Sequence, residues 1–279
     1  MESWAQGRCD SNGLSLRYFR SGGDRPPLVL VHGFTDNALY YSRLANLLSA
    51  SWDVVAYDAR GHGQSDRAGG VFNDDARVGD LLCVVSSLGL DRPVLIGHSL
   101  GAATIALAAA KSPTISRAIV LEDPAWWEFP VGRSQDLETI ERARSERNDV
   151  WRADIERVQQ GTWDEGMEWR RRDVAGWSDE DTALSLASRF EVELDLFTYY
   201  PQAQAPWRDS VTAWTCPSLI VLGDNDRGAI ISVEQAEEAR RLNPLVQYAR
   251  IAEAGHAVRY EQFDAFYGAV NEFLGALSV

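Results

Sequence analysis

The segment that most restricts how this chain can fold is the pentapeptide Gly97-His98-Ser99-Leu100-Gly101. It stands between a short apolar run, Pro-Val-Leu-Ile-Gly over 93–97, and the alanine-rich helical stretch 100–111. A serine on so sharp a strand-to-helix turn is held in strained backbone geometry, with its hydroxyl above the sheet. The flanking glycines are needed because a Cβ there would crowd the turn, and Ala102 and Ala103 keep the same approach small. Ordinary glycine and serine frequencies put such a pentapeptide by chance into roughly one chain in ten of this length. The strand before it and the helix after it carry the reading, not the five letters.

The remainder of the chain alternates in the same way. Short β-rich runs occur at 14–19, 28–32, 53–57, 93–97, 118–121, 216–222 and 246–251, and helical patterns at 41–49, 75–88, 100–111, 232–242 and 262–277. Strands alternating with helices predict a mostly parallel central sheet flanked by helices on both faces, an α/β fold. The alternation breaks after Pro124 and resumes near Cys216. The stretch between is rich in charges and tryptophan, and patterns such as Leu137–Val158 are helical. Because a structureless loop of more than about 15 residues is unusual in a compact domain, a helical cap is expected over 124–210, inserted into a core of 1–123 and 211–279.

The net charge of −14 argues against a nucleic-acid partner, which needs clustered basic residues. Arg170-Arg171-Arg172 is flanked by Glu168 and Asp173 and reads as a solvated face. Three cysteines without metal-ligand spacing fit reduced thiols. The amino terminus lacks the pattern of a signal peptide, and no apolar run is long enough for a bilayer. The expectation is a cytoplasmic protein, monomer or homodimer, with a small-molecule partner, no membrane association and no metal or cofactor.

A serine hydroxyl needs a base. Of the four histidines, His98 adjoins Ser99 on the turn, His32 ends a strand and His62 lies in a tight turn. His256, in Ala254-Gly255-His256 between the last strand and the last helix, is the expected base. A carboxylate must hold its imidazole. Asp226, in Gly223-Asp224-Asn225-Asp226 after the strand 216–222, is the first choice, and Asp123 is its rival. The oxyanion formed on attack would be held by the backbone N–H groups of Phe34 and Leu100. Trp126, Trp127 and Val258 are the candidate pocket residues, and the many tryptophans suggest an apolar or aromatic substrate.

Together Val31-His32-Gly33-Phe34, the segment from Tyr57 to Asp66, Gly97-His98-Ser99-Leu100-Gly101, Leu222-Gly223-Asp224-Asn225-Asp226 and Ala254-Gly255-His256 resemble the α/β-hydrolase superfamily. The match is to its small capped esterase, lactonase and dehalogenase-like branch, in family order from about residue 14 onward. The resemblance implies a lid after strand 118–121 and a structural role for the turn around His62. Serine at position 99 argues against dehalogenases and epoxide hydrolases, whose nucleophile is aspartate. The proline often found a few residues beyond the acid is absent from Arg227-Gly228-Ala229-Ile230. The expected activity is hydrolysis of an ester or lactone through an acyl-enzyme on Ser99. Alternatives are C–C cleavage of a diketone-like substrate, cofactor-free acyl transfer or perhydrolysis, and a small-molecule receptor on the same fold.

Overall fold

The computed structural model describes the chain except residues 2–3, 127–136, 200–206 and 278–279. The strands are β1 (Ala5–Ser11), β2 (Leu14–Arg20), β3 (Pro27–Val31), β4 (Asp53–Tyr57), β5 (Val94–His98), β6 (Ala118–Glu122), β7 (Ser218–Leu222) and β8 (Val246–Arg250). The helices of the first half are α1 (Ser42–Leu48), α2 (Asp74–Ser87) and α3 (Leu100–Lys111). Between β6 and β7 lie α4 (Leu137–Gln160), α5 (Trp163–Asp173), α6 (Asp179–Glu191), α7 (Leu196–Tyr199) and α8 (Trp207–Ala213). The last three are α9 (Val233–Leu242), α10 (Val258–Glu261) and α11 (Phe263–Gly275).

The strands form one sheet in the order β1-β2-β4-β3-β5-β6-β7-β8. β1 and β2 pair antiparallel with their neighbours, and β3 to β8 run parallel. The inner parallel strands β3 to β7 are near-continuous apolar runs because both faces are covered, whereas the edge strand β8, Val-Gln-Tyr-Ala-Arg, is mixed and partly exposed. Successive residues point to opposite faces and feed two cores. Val29, Val31, Leu95, Ile119 and Leu121 pack with α2, α3, α8 and α9 through residues such as Leu81, Ile105, Val211 and Ala236. Leu28, Leu30, Ile96 and Val120 pack with α1 and α11 through Leu44, Leu48, Phe266 and Phe273.

β1 was not anticipated. Its sequence, Ala-Gln-Gly-Arg-Cys-Asp-Ser, carries no apolar alternation, and it is held by backbone pairing along all of β2. The boundary expected at residue 210 falls inside α8, whose Trp207, Ser210 and Val211 are buried against α3 and the first core. No described helix is long and apolar enough to cross a membrane.

β3 and β5 are sheet neighbours although β4 lies between them in sequence. The chain's progress across the sheet therefore reverses there, and the crevice beyond the carboxyl ends of β3 and β5 is the topological switch point where such sheets bind ligands. Ser99 follows β5 directly. The fit is close: a Cβ at Gly101 would lie 2.1 Å from the Val31 carbonyl oxygen and 2.5 Å from that of His32. Because both obstacles are backbone, Gly101→Ala is expected to lower stability by about 1–3 kcal/mol. Gly79→Ala, in α2 with open space around the added methyl, should raise it by about 0.4–1 kcal/mol. Urea denaturation of the two variants checks the contrast.

Candidate active site

Ser99 has φ 51° and ψ −115°, a conformation L-residues rarely adopt, costing on the order of 1–3 kcal/mol. Its surroundings enforce it. The Ser99 N–H donates to the Glu122 carbonyl at 2.9 Å, and the Ser99 carbonyl accepts from Ala103 and Ala125. Added Cβ atoms at Gly97 and Gly101 would collide with the turn. Leu100 is the first residue of α3, so its N–H has no acceptor within the helix. The loop after β3 that carries the Phe34 N–H is tied down just beyond it by a contact between the Phe34 carbonyl and Nε2 of His62. These are the two amides expected to hold an oxyanion, one on each side of the switch point.

His256 follows β8. Its Nδ1 lies 2.5 Å from Oδ2 of Asp123, and its side chain is 36% exposed. The carboxylate that the imidazole faces is thus Asp123, and not Asp226, the first choice from sequence. Asp226 is exposed in a 3-10 turn, Asn225–Arg227, whereas Asp123, 0% exposed, follows β6 and faces the imidazole. Asp123 also has positive φ, 38°. This backbone twist accompanies a carboxylate that also accepts the N–H groups of Ile230 at 2.8 Å and Ile231 at 3.2 Å. With Nδ1 committed to Asp123, Nε2 is the nitrogen left for Ser99. Burial favours the neutral imidazole, but the hydrogen bond and charge of Asp123 outweigh it, so the His256 pKa is raised above 6.5.

The other histidines hold the scaffold. His32 accepts the Ala59 N–H at Nε2, so its Nδ1–H donates to the Gly33 carbonyl. Burial lowers His62 to about 4, keeping it neutral. His98 spans Oδ2 of Asp36, 3.3 Å from Nδ1, and the His256 carbonyl, 3.1 Å from Nε2. Burial would raise the Asp36 carboxyl, yet the hydrogen bond and charge of His98 hold it well below the usual carboxylate range.

Sequence reasoning missed a buried ion pair beside Asp123. Glu122 accepts the Arg259 N–H at 2.9 Å and its Nη1 at 2.6 Å. The Arg259 guanidinium is also packed against the rings of Tyr40, Tyr41 and Tyr260. The pair ties the start of α10, and with it the His256 loop, to the end of β6.

Ser99 and His256 open into a cavity of about 460 Å³, whose wall includes Phe34, Trp151, Arg170, Trp177 and Arg189. Phe34 packs edge-on to Trp151 at 5.2 Å between ring centres. Of the pocket residues expected from sequence, Trp126 is buried away from this cavity, stacked on Trp207 at 5.1 Å. Val258 is fully buried in the second core, and its neighbour Ala257 lines the cavity instead. Trp127 lies outside the described residues. The basic run 170–172 is also revised. Arg171 and Arg172 are exposed, but Arg170 falls on the inner face of α5 and is 5% exposed. Among the described residues no group of three His, Cys, Asp or Glu side chains is placed to hold a metal ion.

The raised pKa makes the His256 cation favour the fold. A group whose folded pKa exceeds its unfolded value contributes stability that is fully present below the unfolded value and lost as pH rises through the folded one. The His256 imidazole is therefore expected to titrate above pH 6.5 by NMR, and Asp123→Asn should lower that midpoint while Asp226→Asn leaves it in place.

Comparison with known proteins places the chain in a family. The profile of the alpha/beta hydrolase family matches residues 28–269. The chain is 30% identical over 285 residues to N-formylmaleamate deformylase of Pseudomonas putida, covering 97% of this chain and 96% of that protein. It is 28% identical over 250 residues to esterase YbfF of Escherichia coli, covering 89% and 92%. The crystal structure of N-formylmaleamic acid deformylase from Pseudomonas putida S16 superposes with a TM-score of 0.77 at 21% identity, covering 95% of this chain and 100% of that one. Strand order, nucleophile turn and matched residues together make this chain a member of the α/β-hydrolase family.

Proposed function

We propose that the protein is a serine hydrolase that cleaves an acyl bond, ester or amide, through an acyl-enzyme on Ser99. The observation that carries this reading is the Asp123–His256 hydrogen bond, in a cavity that also holds Ser99 on its strained turn. His256 Nε2 takes the Ser99 proton as Oγ bonds to the substrate carbonyl carbon. The oxyanion lies against the N–H groups of Phe34 and Leu100, where one donor supplies about 3–4 kcal/mol of transition-state stabilisation. As the intermediate collapses, His256 delivers the proton to the departing alcohol or amine. Water deprotonated by His256 then releases the acid and restores Ser99. Asp123 holds the imidazole tautomer and offsets the charge that His256 acquires.

The similarity to esterase YbfF favours an ester or lactone. The similarity to a deformylase, by its name a C–N hydrolase, favours an amide, whose cleavage depends more heavily on protonation of the leaving nitrogen by His256. A panel of esters, lactones and N-acyl compounds, with product identification, separates the two.

Ser99→Ala is expected to lower kcat on the order of 10⁶-fold and to abolish labelling by an organophosphonate. Asp123→Asn should lower it about 10⁴-fold, whereas Asp226→Asn should stay within about two-fold of wild type. Since the base must be neutral, kcat/KM should fall as pH drops through a midpoint above 6.5, in line with the raised pKa of His256. Full activity in Ser99→Ala would overturn the mechanism. Full activity in Asp123→Asn would overturn the choice of acid.

A further inference from the structure

The cavity over Ser99 holds a buried cation that forms no ion pair with any carboxylate among the described residues. Arg189, on α6, is 8% exposed and lines the cavity. Its Nη1 donates to the carbonyl and to the hydroxyl of Ser185, both at 2.7 Å. Its Nε has no partner, and no carboxylate among the described residues forms an ion pair with it. The acidic groups around the cavity are engaged elsewhere. Asp36 lies against His98 and the Gly33 N–H, Asp173 pairs with Arg170, and Glu261 accepts the N–H groups of Gly255 and Ala257. Arg170, also lining the cavity, donates its Nε to the Ser185 hydroxyl at 2.9 Å, so the two guanidinium groups meet on one serine.

Such an arrangement is costly in a protein at rest, since a buried charge without an ion-pair partner loses its hydration, and the two hydrogen bonds to Ser185 with the more distant charges of Asp36 and Asp173 offset only part of that loss. Burial and the nearby Arg170 charge lower the Arg189 pKa to about 10, which still leaves it charged at neutral pH. A planar guanidinium with unused N–H groups matches the two oxygens of a carboxylate. The protein's net charge of −14 gives such an anion no general attraction, so its recognition must be local.

We propose that Arg189, with Arg170 beside it, is a carboxylate-binding subsite, and that the natural substrate is an acyl compound bearing a carboxylate remote from the scissile carbonyl. This rests on the reading of Ser99 as nucleophile, but it assigns the substrate class, which that reading does not.

The test compares 4-nitrophenyl hydrogen glutarate with its neutral methyl ester, above their spontaneous rates. Wild type is expected to favour the anionic ester about 10–100-fold in kcat/KM, mostly through KM. Arg189→Met should bring the ratio to within about three-fold of unity, Arg189→Lys should give an intermediate ratio, and Asp226→Asn should retain it. Glutarate dianion should raise the melting temperature of Ser99→Ala and of wild type, but not of Arg189→Met. That binding readout needs no turnover, so it separates failure of this proposal from failure of the Ser99 mechanism. Arg189→Met should itself melt at or above wild type, because it removes an unneutralised buried charge. An ester preference unchanged in Arg189→Met, equal stabilisation of that variant by glutarate, or a marked loss of its thermal stability would each overturn the proposal.

Discussion

The carboxylate of Asp123 joins its own strand end to two stretches that each lie more than a hundred residues further along the chain. It follows β6, receives the amides of Ile230 and Ile231, and faces the imidazole of His256. A buried carboxylate is tolerated only with its oxygens satisfied, and here each oxygen has a partner that a different segment supplies. The loop after β7 and the loop after β8 must both be in place before this charge is sheltered. The pair between Glu122 and Arg259 repeats the arrangement one residue earlier, with the two carboxylates on successive residues of one strand end serving opposite faces of the sheet.

Much of this was legible in the sequence, and the failures share a cause. The strands and helices of the core declare themselves by their periodicity, since burial on one or both faces dictates apolar spacing. Ser99 and His256 declare themselves because turn glycines and strand ends fix where they stand. The acid does not, because two adjacent parallel strands both end in aspartates. Strand spacing of about 4.8 Å brings either end near the His256 loop, and side-chain direction decides between them. A partial clue was the missing proline after Asp226. β1 left no apolar pattern because its only buried apolar side chain is Cys9, and it is held by backbone pairing and by polar contacts such as that of Ser11 with Asp80.

The charged wall of the cavity was hidden for a related reason. Arg170 sits in a run of three arginines, and only the helical phase of α5 turns one inward while its neighbours meet Asp179 and Glu168 on the surface. Arg189 carries no motif at all. Composition pointed to an aromatic pocket, and Phe34, Trp151 and Trp177 do line it. The polarity of that wall comes from three-dimensional convergence of α5 and α6, which tryptophan content cannot report.

Trp126 and Trp207 stand at the two feet of the excursion that supplies this wall, stacked with their planes 10° apart. A stack at the neck means that the core experiences residues 127–206 as a loop already closed. Loop-closure entropy rises slowly with length, each doubling costing only about 0.6 kcal/mol. The clasp limits how much of the excursion's length the sheet feels, while the packing of Ile155, Leu196 and Phe197 on Phe34 and Leu100 ties the excursion to the turn that carries Ser99. Ser99, Asp123 and His256 lie on the sheet side of that clasp, whereas Trp151, Arg170 and Arg189 belong to the excursion, so two parts of the chain with separate structural duties share the wall of one cavity.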